Sequence, residues 1–184
     1  MKNLISKQLL SSVGSANLNE SISLNAIAEE KRKRSRYSWE TSVFLSHKHD
    51  EKEVIQQTIT LLNKLGIEVY VDWMDSGIPK ETNGYTATRI KEKIRDNHKF
   101  ILLATEAAIN SKWCNWELGY GDAFKFHKNI AIMPITNQQD NKFSGSEYLQ
   151  IYPVITSEYL YTTGTYHVEY NGTITRLEDW LQQR

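Results

Sequence analysis

The sequence predicts a three-layer α/β fold, with a central, mainly parallel sheet covered by helices on both faces. Three observations carry this expectation. Short apolar runs alternate with segments whose apolar residues recur every three or four positions. The runs are apolar throughout, as in strands buried on both sides. Clusters of turn-forming residues separate the segments. Strands that alternate with helices build parallel sheets more readily than chains of hairpins do.

The first 36 residues look different from the rest. They are rich in Ser and Asn, contain no aromatic residue and end in the basic run Lys31, Arg32, Lys33, Arg34, Arg36. We expect residues 1–36 to be an appendage or linker, helical near 21–30 around Leu24 and Ile27 and otherwise irregular or disordered. Its basic run is expected to be a solvated charge cluster. The organised domain is expected to be 37–184.

Ser42-Val43-Phe44-Leu45-Ser46 is the first strand, followed by the polar loop His47-Lys48-His49-Asp50. Val54, Ile55, Ile59, Leu62 and Leu65 then mark a helix that Gly66 stops. Residues 67–71 read as the second strand, and 72–85 as a long polar loop. Ala87, Ile90 and Ile94 mark the next helix, and Phe100-Ile101-Leu102-Leu103-Ala104 the third strand. A helix from 111 to 127 follows, with Ser111 at its N-cap. Residues 130–135 form the fourth strand, ended by Pro134 and Asn137. The fifth lies near 152–155 or 159–161. A closing helix spans 173–183, with Ile174, Leu177, Trp180 and Leu181 facing inward.

Composition narrows the function classes. Hydrophobic residues make up 40% of the 184-residue chain, enough for one core. Net charge is zero, so no nucleic-acid partner is expected. No apolar run is long enough to span a bilayer, and the N-terminus lacks the apolar core of a secretory leader. The single cysteine, Cys114, excludes an intramolecular disulfide and suits a reducing compartment. A cytoplasmic protein without a membrane partner is the expectation.

In a parallel sheet, ligands collect at the carboxyl ends of the strands. Here those ends are 46–50, 72–85, 105–112 and 136–142. Trp113 and Glu117 stand one helical turn apart on the helix that begins beside one of them. Periodicity alone favours a solvated glutamate. Trp116, Tyr120 and Phe124 have the spacing of a neighbouring stripe, expected to pack into the core. Cys114 reads as a small buried hydrophobe, and Asp72 and Asp75 as loop-capping groups. His47-Lys48-His49-Asp50 is close to a metallohydrolase H-x-H-x-D pattern, but the Asp comes one residue early. His98, His127 and His167 add no second cluster, so no metal site is expected.

The segment Ser111-Lys112-Trp113-Cys114-Asn115-Trp116-Glu117-Leu118 resembles the S-x-W-C-x-x-E-L signature of Toll/interleukin-1 receptor (TIR) domains. Val43-Phe44-Leu45-Ser46-His47 is similar to that family's first strand, and Gly66-Ile67-Glu68-Val69-Tyr70-Val71-Asp72 to its second. The loop around Gly77-Ile78-Pro79 corresponds to the family's BB loop. The matches fall in order over about residues 40–160. The resemblance implies a flavodoxin-like TIR fold with a five-stranded sheet. It also implies an enzyme that cleaves the nicotinamide–ribose bond of NAD⁺, with Glu117 as the catalytic residue. NAD⁺ is then substrate, and no cofactor or metal is expected. Products are nicotinamide with ADP-ribose, or a cyclic or conjugated form of it.

Trp113, Ser46, His47, Lys48, Trp73 and Asp75 are the substrate-binding candidates. The arginine that many members carry after the first strand is absent; His47, Lys48 and His49 stand there instead. Self-association through TIR–TIR contacts, a separate effector reached by the product, and a role in bacterial antiphage immunity are further implications. The alternative is a non-catalytic TIR interaction module. A nucleotide-binding domain of unrelated chemistry would need a glycine-rich loop after the first strand, and 46–50 contains no glycine.

Overall fold

The computed structural model describes residues 2–15, 41–75, 83–137, 147–160 and 163–183. Its strands are β1 (Lys2–Asn3), β2 (Ile5–Ser6), β3 (Ser42–Ser46), β4 (Glu68–Tyr70), β5 (Lys99–Ala104), β6 (Ile130–Thr136), β7 (Val154–Leu160), β8 (Thr163–Tyr170) and β9 (Thr173–Arg176). Its helices are α1 (Lys7–Ser15), α2 (Lys52–Lys64), α3 (Gly84–Asp96), α4 (Glu106–Ile109), α5 (Lys112–Lys125) and α6 (Leu177–Gln182). The sheet order is β4-β3-β5-β6-β7-β8-β9. The first five of these strands pair in parallel, as expected; β8 and β9 extend the β7 edge in antiparallel fashion.

The period of two along each strand divides the core between the two faces. Val43, Leu45, Ile101, Leu103, Ala131 and Met133 join Ile55, Leu62, Leu177 and Leu181 on one side. Phe44, Phe100, Leu102, Ile130 and Ile132 join Ile90, Ile94, Cys114 and Leu118 on the other. Both faces are therefore covered, by α1, α2 and α6 on the first and by α3, α4 and α5 on the second. Helix α2 ends in a Schellman turn: Gly66, at φ 78°, donates to the Asn63 carbonyl, and Ile67 donates to that of Leu62.

Four expectations are corrected. Residues 2–15 do not form an appendage. β6 and β7 pair through Ile132 and Val154, and the N-terminal segment enters beyond that point. There β2 pairs with Ile135 and Thr136 of β6, and β1 with Ser157 and Glu158 of β7. Ile5, Leu9 and Leu10 of this segment are buried in the first core cluster. A few apolar residues in a polar context made a weak signal, because the strand partners of 2–6 lie more than 100 positions away and α1 packs on α2, over 40 positions on. The helix expected at 21–30 and the basic run fall outside the described residues.

Pro134 does not end its strand. It sits opposite Ala104, the last residue of β5, and β6 continues to Thr136 against β2. The closing helix is shorter than its apolar pattern suggested, because 173–176 is a strand and only Leu177–Gln182 is helical. Asn171 and Gly172, at φ 49° and 77°, form the positive-φ turn that an Asn-Gly pair favours between strands. Ile174 is accordingly exposed, whereas Leu177, Trp180 and Leu181 are buried.

The aromatic stripe of α5 reaches the core only in part: Trp116 and Tyr120, partly buried, pack against the second cluster, whereas Phe124 is exposed. Cys114, Leu118 and Gly121 face the sheet. A Cβ on Gly121 would stand 3.1 Å from the fully buried Phe100 ring, so the helix approaches closely there. Trp116 and Tyr120 are half-buried with Lys91 over their rings, and Phe124 is exposed beside Arg95. A row at 116, 120 and 124 follows one edge of the helix, and the sheet takes the face next to it.

If residues 2–15 belong to the folded domain, Leu10→Ala should cost about 2–5 kcal/mol in urea unfolding, the range for deleting a buried leucine side chain. A residue in a solvated linker would cost nothing measurable.

Candidate active site

The parallel order β4-β3-β5 reverses direction between β3 and β5, a topological switch point at which α/β sheets bind ligands. Ser46 closes β3 at that end. Helix α5 begins nearby, where the Ser111 hydroxyl accepts from the Cys114 N–H at 3.4 Å. Glu117, in the second turn, is directed inward to the carboxyl end of β3. The Ser46 hydroxyl donates to Glu117 Oε2 at 2.5 Å, and both residues are buried. Cys114 secures the same junction from the turn before, its thiol donating to the His47 carbonyl at 3.3 Å. Burial pushes that thiol up to about 11, so it remains protonated and inert at neutral pH.

Glu117 is only 3% exposed. Burial raises its carboxyl to about 8, and the field of Asp72 adds to the rise. Hydrogen bonds from Ser46 and the Trp113 indole and the nearby His49 oppose it. A buried carboxyl within reach of neutral pH, at a switch point, is an arrangement suited to chemistry. Trp113 is half-buried and stacks on Trp116, with ring centroids 4.8 Å apart. It stands as a flat wall beside the carboxylate.

The loop after β3 turns back toward β4. His47 is buried; its Nδ1–H donates to the Leu45 carbonyl at 2.8 Å, and its Nε2 faces Asp72 Oδ1 at 3.6 Å. Desolvation lowers the affinity of His47 for a second proton. His49 is half-exposed and donates from Nε2 to Asp72 Oδ2 at 2.9 Å; that hydrogen bond raises its pKa. Lys48 points outward, 3.8 Å from Asp50. On the other flank, the Thr105 hydroxyl donates to Glu51 and accepts from the Ala108 N–H, joining the loops after β3 and β5 across the crevice.

The structure thus brings Glu117, Ser46 and Trp113 together, with His47 and Lys48 on the adjoining loop. Asp75 is engaged elsewhere: it accepts from the Tyr70 hydroxyl at 2.9 Å and lies 3.8 Å from Lys93. The Trp73 backbone lies in the 3-10 turn Asp72–Met74, and its side chain falls outside the described residues, as does the loop from 76 to 82. Sequence reasoning missed Asp72 as a member of the cluster. The available signal was positional: Asp72 follows β4, whose residue Tyr70 is in register with Phe44, so it comes abreast of Ser46.

Burying Glu117 has a stability consequence with a definite sign. The folded chain holds this proton up to about pH 8, whereas an unfolded glutamate releases it near 4.5. Between those values the native state binds more protons, so its stability falls as pH rises. Glu117→Gln removes the titration. Relative to wild type, its stability should improve by up to about 1.4 kcal/mol per pH unit across that window. The difference should level off above pH 8 in denaturant unfolding at several pH values.

The TIR domain family profile matches residues 43–157, from β3 into β7. The chain is 28% identical over 151 residues to a probable 3′ cyclic ADP-D-ribose synthase, ThsB′, of Bacillus cereus (strain MSX-D12), spanning 77% of this chain and 75% of that protein. It is 29% identical over 113 residues to a probable 2′ cyclic ADP-D-ribose synthase, TcpO, of Methanobrevibacter olleyae. That match spans 58% of this chain and only 31% of the relative's length. The crystal structure of the TIR domain of the Toll-related receptor TRR-2 from Hydra magnipapillata aligns with a TM-score of 0.44 and 17% identity, over 59% of this chain and 77% of that one. The profile match covers well over half of the chain and contains Ser46, Trp113 and Glu117; the chain belongs to the TIR domain family.

Proposed function

We propose that this chain cleaves the nicotinamide–ribose bond of NAD⁺ and closes the remaining ADP-ribose into a cyclic product, with Glu117 as the catalytic carboxylate. The observation that carries this reading is the buried Glu117 carboxyl on Ser46 at the switch point of the sheet. Nicotinamide leaves as a neutral base, and the ribose gains oxocarbenium character. A carboxylate in a poorly solvated site opposes that positive charge far more strongly than it would in water. Ser46 positions the carboxylate and favours its ionised form; the Trp113 indole does the same and offers a face to a planar ring. Lys48, on the loop after β3, is the group best placed at the surface for a pyrophosphate. No cofactor or metal is needed for the bond cleavage itself.

Closure by a ribose hydroxyl fits a site whose carboxylate is shielded from water, and both curated relatives are named as cyclic ADP-D-ribose synthases. We read the product as a diffusible signal to a separate effector in bacterial antiphage immunity, with turnover in the cytoplasm promoted by self-association of TIR domains. The competing reading is a TIR scaffold without turnover. Against it stands Glu117, since a buried carboxyl that weakens the fold toward alkaline pH has no part in assembly.

Purified protein at high concentration should consume NAD⁺, release nicotinamide and yield a product one water lighter than ADP-ribose by mass spectrometry. Glu117→Gln should lower the rate at least ~100-fold, as loss of a preorganised charge does. Unchanged turnover in that variant, or none in the wild type even when assembled, would sink the proposal.

The reaction requires ionised Glu117, so kcat/KM should rise with pH through an apparent pKa near 8 in the free enzyme. Ser46→Ala removes the donor that favours the carboxylate, and should move this ascending limb to higher pH in the same assay.

A further inference from the structure

We propose that His47, His49 and Asp72 form a binding site for one divalent transition-metal ion, for which Zn²⁺ is the best match. The inference is independent of NAD⁺ turnover. It rests on where three donor atoms stand and on what one of them lacks.

His47 is the decisive residue. Its Nδ1–H is committed to the Leu45 carbonyl at 2.8 Å, so Nε2 carries a bare lone pair. That nitrogen is buried and has no hydrogen-bond partner. It faces Asp72 Oδ1 at 3.6 Å, lone pair toward carboxylate. Two electron-rich atoms aimed at each other in a buried place repel, and a proton or a metal ion between them relieves the repulsion. An imidazole whose far nitrogen is tied to a backbone carbonyl is also the arrangement found at metal-bound histidines, where that bond fixes tautomer and ring orientation.

Asp72 and His49 complete the donor set. His49 Nε2 lies 2.9 Å from Asp72 Oδ2, and the donor atoms of all three residues fall within 4.8 Å of one another. Donors about 2.1 Å from a tetrahedral zinc stand about 3.4 Å apart. The 3.6 Å from His47 Nε2 to Asp72 Oδ1 is close to that value, and Oδ1 serves as the one carboxylate donor. An entering ion takes the place of the Nε2 proton that His49 now donates to Asp72, and that proton shifts to Nδ1, leaving the neutral imidazole that ligates through Nε2. Two imidazoles and a carboxylate suit Zn²⁺ and related ions; Mg²⁺ and Ca²⁺ prefer oxygen donors. Three protein donors leave one tetrahedral position free, the pattern of an exchangeable site and not of a closed structural one.

The fold explains the convergence. His47 and His49 sit two apart on the loop leaving β3, and Asp72 opens the turn after the adjacent parallel strand β4. The third ligand that the H-x-H pattern lacked nearby in sequence is supplied by the neighbouring strand.

The full chain, stripped with EDTA, should bind one Zn²⁺ per molecule in calorimetric titration, gain thermal stability, and develop visible ligand-field absorption with Co²⁺. His49→Ala, which alters a half-exposed side chain, and the near-isosteric Asp72→Asn should each weaken binding at least ~10-fold and remove the Co²⁺ spectrum. Glu117→Gln should bind as the wild type does. Absence of Zn²⁺ or Co²⁺ binding, binding that survives both ligand substitutions, or loss of binding in Glu117→Gln would overturn the assignment. None of these readouts needs NAD⁺, so failure of the metal site and failure of the NAD⁺ reaction are separately visible.

Discussion

The hydrogen bond from Ser46 to Glu117 joins β3 to the helix that covers it, and the rest of the site is arranged around that contact. It places a carboxyl in the interior, where burial holds its proton far above the usual carboxylate range. Ionising such a group is costly unless donors surround it. Ser46 and Trp113 supply donors from one strand and one helix, and His49 supplies a favourable field from the next loop. These donors offset part of the burial cost only when the carboxyl end of β3, the loop that follows it and the start of α5 are all in place.

The two ends of the sheet differ in charge. Glu51, Asp72 and Glu117 gather at the carboxyl end. At the other end are the buried lysines Lys99 and Lys125, each brought down to about 8 by desolvation. Both are spent on structure. Lys99 donates to Asn129 at 2.8 Å and lies over the Trp180 ring, while Lys125 donates to the Asn97 carbonyl. A perturbed basic group is thus not in itself a mark of function here. What separates Glu117 from these lysines is its position beside a crevice between loops, next to a half-buried aromatic.

The loop after β3 gives two readings of one motif. Lys48 is turned to solvent and remains available to an anion, whereas His47 and His49 are turned to Asp72. The exposed cation suits the proposed pyrophosphate contact, and the histidines suit a metal ion. Both uses follow from the alternation of direction along an extended segment leaving a strand.

Much of this protein was legible in its sequence. The five parallel strands and the helices α2, α3 and α5 follow from apolar runs and three-to-four spacing, because local burial patterns depend on local geometry. Glu117 and Trp113 were legible as a pair for the same reason: four residues make one helical turn. Tertiary structure decided the rest. The N-terminal strands have their partners at 135–136 and 157–158, so no local pattern announces them. The aromatic edge of α5 and its sheet-facing edge are equally apolar in sequence, and Gly121 against Phe100 selects which one turns inward. Asp72 joined the two histidines only through the pairing of β4 with β3, because parallel register brings together residues that the sequence holds more than twenty positions apart.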